Sequence, residues 1–489
     1  MPNYTDTLVI GAGLTGLTTA HYLRKFENDF LVVDQKNYIG GAIQTETING
    51  FTFEKGPSTG VMSNNTVAEL FEDLKSYCRI ERAADSVNKR YILKQAEWTP
   101  LPSRIIDGIF TPLFTWQDKL RILGEPFRKP GTNPNETLSE FVKRRLGNSF
   151  LDYAIDPFIL GVYAGNPSYL IPRFALPKLY NLEQNYGSLI KGSIKLAREK
   201  SKKNPQHKKE TSNRIFSAEG GLSQLTNSLY ESAGKENFLL GVSQLRINPT
   251  DNGFIIQGIK SDGKDLEIYA KNVITTVGAH QLNELLPFID KKLIHKIDNL
   301  VYAKVVQVTI GFKEWKGMPL DAFGGLIPFK EKHDSLGILF PSAFLKNRAP
   351  QDGALLSVFM GGVRRPEMIK KSDEELKGIV SKEICSLMNI NTFKPDLFKI
   401  FRYQEAIPQY GSDCEARFEA LDIIANQYPN LIIGGNLRDG IGMADRIQQG
   451  KELAQKVKLS TLSNKPFNEN SKIEQTELKE NTVEQLQKA

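Results

Sequence analysis

The chain is poor in the residues that build metal centres and nucleophilic sites. Of its 489 residues only three are cysteine, Cys78, Cys385 and Cys414, and five are histidine. No two cysteines form a CxxC pair, and the histidines show no metal-ligand spacing, so neither a disulfide scaffold nor a bound metal organises this protein. Scattered thiols of this kind are expected to be reduced core side chains in a reducing compartment. No Ser/His/Asp or Cys/His constellation stands out either, which argues against hydrolytic chemistry. Long apolar runs are missing too. A membrane span needs about 20 apolar residues. The longest uncharged stretches are Thr7–Leu23, which is glycine-rich, and Pro157–Pro172, which carries Asn166 and a proline at each end. Crossing a membrane is therefore not expected, whereas attachment to a membrane face is compatible with the pattern. The start, Met-Pro-Asn-Tyr-Thr-Asp, has no basic n-region, so a cytoplasmic protein, peripheral on the membrane face, is expected.

What is present is ordinary for a large globular chain: 40% hydrophobic and 24% charged residues, enough for two or three packed domains. The net charge of +7 is spread over the whole length. It gives no case for nucleic acid as a partner and suits an anionic substrate or an anionic membrane surface. No internal repeat is visible.

Hydrophobic periodicity divides the chain. Thr7–Ile10 reads as a buried strand, Leu14–Phe26 as a helix and Phe30–Val33 as the next strand, a βαβ unit. From Arg90 to about Asn213 the character changes. Trp98, Ile105, Ile106, Ile109, Phe110, Leu113, Phe114 and Trp116 crowd together among prolines 100, 102, 112, 126, 130 and 134, and Glu136–Leu146 has helical spacing. This segment reads as a mostly helical insertion. Within it, Lys191–Arg214 holds nine Lys/Arg against two acids. Such a run is either a solvated mobile loop or a contact for an anionic membrane. After Ser217 strands return at Phe238–Ile247, Phe254–Gln257 and Val273–Val277. Val305–Phe312, Gly337–Phe340 and Ala354–Phe359 suggest an antiparallel sheet. Leu431–Ile433 is another buried strand, followed by glycines and a helix through Val457. Residues beyond about Pro466 are polar without periodicity and read as a disordered tail.

The chemistry concentrates at the N-terminus. Gly11-Ala12-Gly13-Leu14-Thr15-Gly16 is GxGxxG, placed after a strand and opening a helix, and Asp34 ends the second strand 18 residues beyond Gly16. Gly11 permits the tight turn, Gly13 lets a pyrophosphate approach the backbone, and Gly16 lets the helix pack on the strand. The helix N-terminus faces the phosphates, and Asp34 can accept from ribose hydroxyls. An acid at that position disfavours a 2′-phosphate, so the ligand is a dinucleotide other than NADP.

Two further features resemble amine-oxidase-like flavoproteins: the doublet Gly40-Gly41, with Thr45 beyond it, and Phe53-Glu54-Lys55-Gly56-Pro57. Those families split their FAD domain and complete it with a C-terminal piece. Here the matching piece is Leu431-Ile-Ile-Gly434-Gly435-Asn436, then Asp439-Gly440-Ile441-Gly442-Met443-Ala444-Asp445. It is expected to set a second helix N-terminus against the N1–O2 edge of the flavin. The resemblance implies FAD, held non-covalently, with cofactor contacts from Gly11, Ala12, Gly13, Leu14, Thr15, Gly16, Asp34, Gln35, Gly41, Ala42, Gly56, Pro57, Ser58, Thr59, Val242, Ile441, Gly442 and Met443.

The middle of the chain narrows the resemblance. Glu136–Gly147, Gly161-Val-Tyr-Ala-Gly-Asn166-Pro-Ser, Leu182-Glu-Gln-Asn185 with Gly187-Ser188, and Glu219-Gly-Gly-Leu222 resemble the protoporphyrinogen oxidases, in particular the plant-like, oxygen-dependent form. So do Phe323-Gly-Gly-Leu326, Asn347-Arg-Ala-Pro350, Met360-Gly-Gly362 and Ala406-Ile-Pro-Gln-Tyr410. No single match decides; they run in order from about residue 5 to 455. The resemblance implies oxidation of protoporphyrinogen IX to protoporphyrin IX, a tetrapyrrole substrate, with FAD as hydride acceptor and O2 as usual oxidant. It implies an α/β architecture: a split Rossmann-like FAD domain, a mixed-sheet (α+β) substrate domain and an inserted helical domain that docks on a membrane. The expected boundaries are 1–80, 214–282 and 419–465 for FAD binding, 81–88 and 283–418 for substrate, 89–213 for the helical domain and 466–489 for the tail. The oligomeric state has no marker in the sequence; a homodimer is kept as an expectation.

An apolar macrocycle with propionate arms calls for an apolar slot with one or two cations. Arg90 stands where similar enzymes set an arginine against a propionate, which a guanidinium grips bidentately. Phe323, Gly324 and Leu326 match residues lining the ring faces, and Phe158 and Gly161 match the helical side of the slot. No catalytic side chain is expected, because the flavin carries the hard step. Two departures stand out: Ala42 where many amine oxidases have arginine, and Ser58 where some members have arginine after Gly-Pro. Alternatives remain. One is a coproporphyrinogen III oxidase of the same fold. Others are an amine oxidase, a carotenoid desaturase and a flavin-bearing binding protein.

Overall fold

The computed structural model describes residues 3–84, 89–102, 105–203 and 215–463. Its first sheet is assembled from distant parts of the chain. The strand Asn3–Ile10 lies between Phe30–Asp34 and Asp265–Thr275, parallel to both; Phe238–Leu240 extends it beyond Phe30–Asp34. Leu431–Ile433 runs parallel beside Val273–Thr275, while Gly253–Ile259 and Ser243–Thr250 add an antiparallel hairpin. A strand buried on both faces must be apolar at every position rather than at alternate ones. Leu8, Val9 and Ile10 meet that demand. Val9 packs with the helices Leu14–Lys25, Ser223–Ala233 and Met443–Ser463 on one face, and Leu8 and Ile10 pack with Leu282–Leu285, Lys291–Asp298 and Cys414–Gln427 on the other. The result is a three-layer α/β unit.

The second sheet orders its strands 397–408, 302–312, 354–361, 335–339, 324–326, 91–94 and 97–100. It is antiparallel except where Gly325 and Leu326 run parallel to Tyr91 and Ile92. The helix Asp373–Leu387, started by a Ser372/Glu375 capping box, covers one face. Tyr91–Lys94 and Glu97–Pro100 therefore belong to this sheet and not to the helical insertion, where the sequence reading placed them. Trp98 is held in the sheet by its indole N–H donating to the Leu387 carbonyl at 2.8 Å.

Between residues 105 and 203 the chain is helical. A five-residue π-turn, Leu151–Ile155, leads into Asp156–Tyr163. Inside, Arg145 is fully buried with Glu125 and Glu183, and Arg144 reaches Glu136 at 2.7 Å and Glu183 at 2.8 Å. Glu125 also accepts from the Ser188 hydroxyl and from the Leu189 and Ile190 amides, so it caps the helix Leu189–Lys203. The first part of the basic run, for which a mobile loop was one of the two expectations, is thus helix; residues 204–214 and the expected tail lie outside the described residues.

Candidate active site

The first glycine turn is shaped by contacts that leave no space for side chains. Gly11 has φ +108° and donates to the Val33 carbonyl at 2.8 Å. A Cβ on Gly16 would lie 1.8 Å from the Gly11 carbonyl oxygen. Gly13, by contrast, faces open space, and the helix it opens has neither a side-chain cap nor an acid in its first turn. Its free N–H groups are the donors an anionic phosphate needs. Asp34 accepts from the Ala12 amide at 2.6 Å and the Lys36 amide at 2.7 Å. Each carboxylate oxygen retains a lone pair for a ribose hydroxyl. The doublet joins this turn: Gly40 donates to the Ala12 carbonyl at 2.8 Å, and Gly41 abuts the Gly13 backbone. Gly56, φ +91°, packs on the Ala42 carbonyl. Val242 donates its amide to the Asp34 carbonyl at 3.0 Å. Leu14 and Thr15 are buried, whereas Gln35 and Ala42 are exposed. Pro57 and Thr59 flank Ser58, whose buried hydroxyl has no hydrogen-bond partner among the described residues.

The C-terminal glycines close over the same end of the sheet. Gly434 donates to the Thr275 carbonyl at 2.8 Å, and Gly435 to the Gln449 side chain at 2.8 Å. Arg446 donates to the carbonyls of Gly435, Arg438 and Asp439, and the Tyr410 hydroxyl faces the carbonyls of Asn436 at 2.9 Å and Gly440 at 3.1 Å. Beyond them come Ile441, Gly442 and buried Met443. Asp445 accepts from the Gly442 amide at 3.0 Å, and burial pushes its pKa up. The positive end of this second helix is thus partly answered by its own carboxylate. Asn64 donates to the Ala444 carbonyl at 3.1 Å, which ties the stretch after Pro57 to this helix.

The expected substrate residues gather on the strand 324–326 and its neighbours. The Arg90 guanidinium lies 5.5 Å from the centre of the Phe323 ring, which packs 4.3 Å from the Phe344 ring. Neighbouring Lys89 pairs with Asp321 at 2.9 Å and Tyr91 donates to the same carboxylate; Arg90 has no such partner among the described residues. Gly324 is forced: φ is +157° and a Cβ would fall 2.4 Å from the Ile338 carbonyl. Leu326 meets Gly161 on the helix Asp156–Tyr163, and Phe158 on that helix is 40% exposed. Helical segment and sheet therefore meet at Gly161 and Leu326.

The model of the flavin containing amine oxidoreductase family matches residues 14–458. The chain belongs to this family. It is 28% identical to protoporphyrinogen oxidase 2 of Arabidopsis thaliana over 482 residues, covering 92% of this chain and 93% of that one. It is 24% identical to coproporphyrinogen III oxidase of Bacillus subtilis, covering 91% and 96%. Among solved structures it resembles a protein of Exiguobacterium sp. 255-15 provisionally assigned as a protoporphyrinogen oxidase: TM-score 0.77, 21% identity, 94% and 99% covered. Cyclohexylamine oxidase from Brevibacterium oxydans shares the fold at TM-score 0.67, 14% identity, with 94% and 99% covered. The protein is a flavin-dependent oxidoreductase, and its cofactor is FAD. The residues fit that group: an uncapped helix N-terminus above open space at Gly13, and an orphaned Ser58 hydroxyl beside the Gly-Pro turn. When bound, FAD supplies the two-electron acceptor.

Three residues that shape this site are missing from the sequence expectations, Gln307, Arg446 and Gln449, and Tyr410 figures there only as the end of a family match with no role. Arg446 and Gln449 sit three apart on the helix after the glycines, a spacing that puts both on the loop's side. Gln307 interrupts the apolar run Val305–Ile310, where a lone amide signals a buried hydrogen-bond duty.

Proposed function

We propose that this flavoenzyme oxidises protoporphyrinogen IX to protoporphyrin IX, with O2 reoxidising the flavin to give H2O2. The observation that carries the reading is Arg90, a guanidinium with no carboxylate partner among the described residues, set against the Phe323 ring, at the end of a sheet whose next residues meet the helical segment at Gly161 and Leu326. The relatives named protoporphyrinogen oxidase support it along nearly the whole chain. In this reading Arg90 holds a propionate, the Phe323–Leu326 stretch lines one face of the macrocycle, and Phe158 and Gly161 line the other. The chain's own task is to orient a methylene bridge toward the cofactor and to exclude water. The glycine turn, Asp34, Val242, the Gly56–Thr59 turn and Ile441–Met443 hold FAD, without a covalent bond. We assign the α/β sheet unit to FAD, the antiparallel sheet to substrate, and residues 105–203 to a docking domain.

That last domain presents an unpacked apolar stripe. Trp116, Leu120 and Leu123 are four and three residues apart on one helix none of whose residues is buried, and Phe127, 86% exposed, continues it. Lys119 lies over Trp116 and Lys191 over Phe127. Apolar tips ringed by cations suit the surface of an anionic bilayer; no described helix is long and apolar enough to cross one.

The coproporphyrinogen III oxidase relative supports a second reading with the same chemistry on a substrate with more carboxylates. The deciding experiment is aerobic turnover of each porphyrinogen, followed by porphyrin fluorescence against an enzyme-free control. Faster oxidation of protoporphyrinogen supports the main reading. Preference for coproporphyrinogen moves the chain to the second, and flavin-dependent oxidation of neither refutes both.

A further inference from the structure

Gln307 sits in the middle of the strand Tyr302–Phe312, the second strand from the edge of the substrate sheet, and is fully buried. Both ends of its amide are spent on one peptide segment of the other unit. Its Oε1 accepts from the Gly56 amide at 2.9 Å, and its Nε2 donates to the Glu54 carbonyl at 2.9 Å. The Tyr403 hydroxyl, on the neighbouring strand, points at the same Oε1 at 3.5 Å. The approach is possible because Gly311, four residues along, has no side chain: a Cβ there would strike the Phe51 ring at 2.7 Å. Beyond Gly56 the contacts continue. Gly56 packs on the Ala42 carbonyl, and Gly41 beside it packs on Gly13. A continuous line of backbone contacts thus runs from the substrate sheet to the dinucleotide turn.

We propose that Gln307 is a positioning residue for the cofactor: it locks the Gly56-Pro57 turn from the substrate sheet and thereby sets how tightly FAD is seated. The inference rests on FAD occupying the cradle and not on which porphyrinogen is oxidised, so its tests read the flavin alone. Gln307→Leu keeps the volume but leaves the Gly56 N–H and the Glu54 C=O unpaired in the core. An unsatisfied buried pair of this kind weakens FAD binding by about tenfold or more. The readouts are the dissociation constant from titration of the apoprotein and the flavin absorption spectrum.

Gln307→Glu separates positioning from folding. A protonated carboxyl can accept from Gly56 and donate to Glu54; an ionised one can only accept. Among the described residues the other ionisable groups around the clamp include Glu54, Lys55 with its partner Glu46, Tyr403 with Tyr38 beside it, Arg348 and Glu81, and these are the same in the wild type, which serves as the reference at each pH. FAD affinity of the variant relative to wild type is expected to be near one at pH 5.5 and to fall about tenfold or more by pH 8.5. A pH-independent ratio for Gln307→Glu, or unaltered FAD affinity and spectrum in Gln307→Leu, would overturn the proposal.

Discussion

A Cβ placed on Gly161 would lie 2.5 Å from Cδ2 of Leu326. The helix Asp156–Tyr163 and the strand 324–326 touch there with nothing to spare, and the obstacle is the tip of a flexible side chain. Gly161→Ala should therefore fold but turn Leu326 aside, lowering kcat/KM for the porphyrinogen by about tenfold. Leu326→Ala in the same chain should recover part of the loss. A double-mutant cycle on steady-state rates checks this, and purely additive losses would show that the two residues do not form one wall.

Arg90 is read as a carboxylate ligand that acts equally on ground and transition states. Arg90→Ala should raise KM about ten- to a hundredfold with kcat nearly unchanged, and Arg90→Lys should fall between. A fall in kcat at constant KM would assign Arg90 a different task.

The Tyr410 hydroxyl serves the carbonyls of Asn436 and Gly440 from a buried position, where burial pushes its pKa far up and keeps the proton on oxygen. Tyr410→Phe should cost the apoprotein about 1–2 kcal/mol in urea unfolding and weaken FAD as the glycine loop loosens. Unchanged values for both would mean that water replaces the phenol.

Acid sensitivity has an identifiable source in the dinucleotide helix. Burial lowers the pKa of His21, partly countered by Asp73, and its ring sits against the Ser232 hydroxyl. An unfolded chain's histidine titrates near 6.5. Below that pH the unfolded state takes up the proton first, so His21 lowers stability as pH falls and is without effect above it. Between pH 7.5 and 5.5 the wild type should lose more unfolding free energy than His21→Gln, by at most about 1.4 kcal/mol per pH unit. Parallel stability curves for the two proteins would exclude His21 as the cause.

The exposed stripe is tested apart from catalysis. Replacing Trp116, Leu123 and Phe127 with serine should abolish sedimentation with vesicles rich in anionic lipid while oxidation of detergent-dispersed porphyrinogen stays within about twofold, since exposed substitutions cost little stability. Retained sedimentation would place the membrane contact elsewhere.

Much of the cofactor cradle is legible in the sequence because its determinants are local. A glycine turn, the helix it opens and Asp34 lie within one βαβ unit, and each residue type answers a steric or electrostatic demand of that unit. The clamps are not local. Gln307 acts on a segment some 250 positions away in the chain, and nothing in its own neighbourhood names the partner. The strands 91–94 and 97–100 were read with the helical insertion for the same reason. Their partners lie near residue 325, and their own stretch looks like the aromatic, proline-broken segment that follows. The basic run Lys191–Arg214 leaves a solvated loop and a membrane contact both open in the sequence because its lysines dominate the composition; what makes its first part helix is Glu125, distant in sequence, which answers the first amides of Leu189–Lys203.

The helix Met443–Ser463 lies along the helix Leu14–Lys25, with Gly450 set so closely that a Cβ would touch the Thr15 carbonyl at 2.8 Å. A turn built from residues 11–16 is thus completed by a helix that begins more than four hundred residues later. The first glycine turn waits, half-built, while more than four hundred further residues are translated, and a product cut short before residue 443 would carry the fingerprint of a dinucleotide site without its second wall. Loading of the cofactor consequently waits on the synthesis of the helix Met443–Ser463.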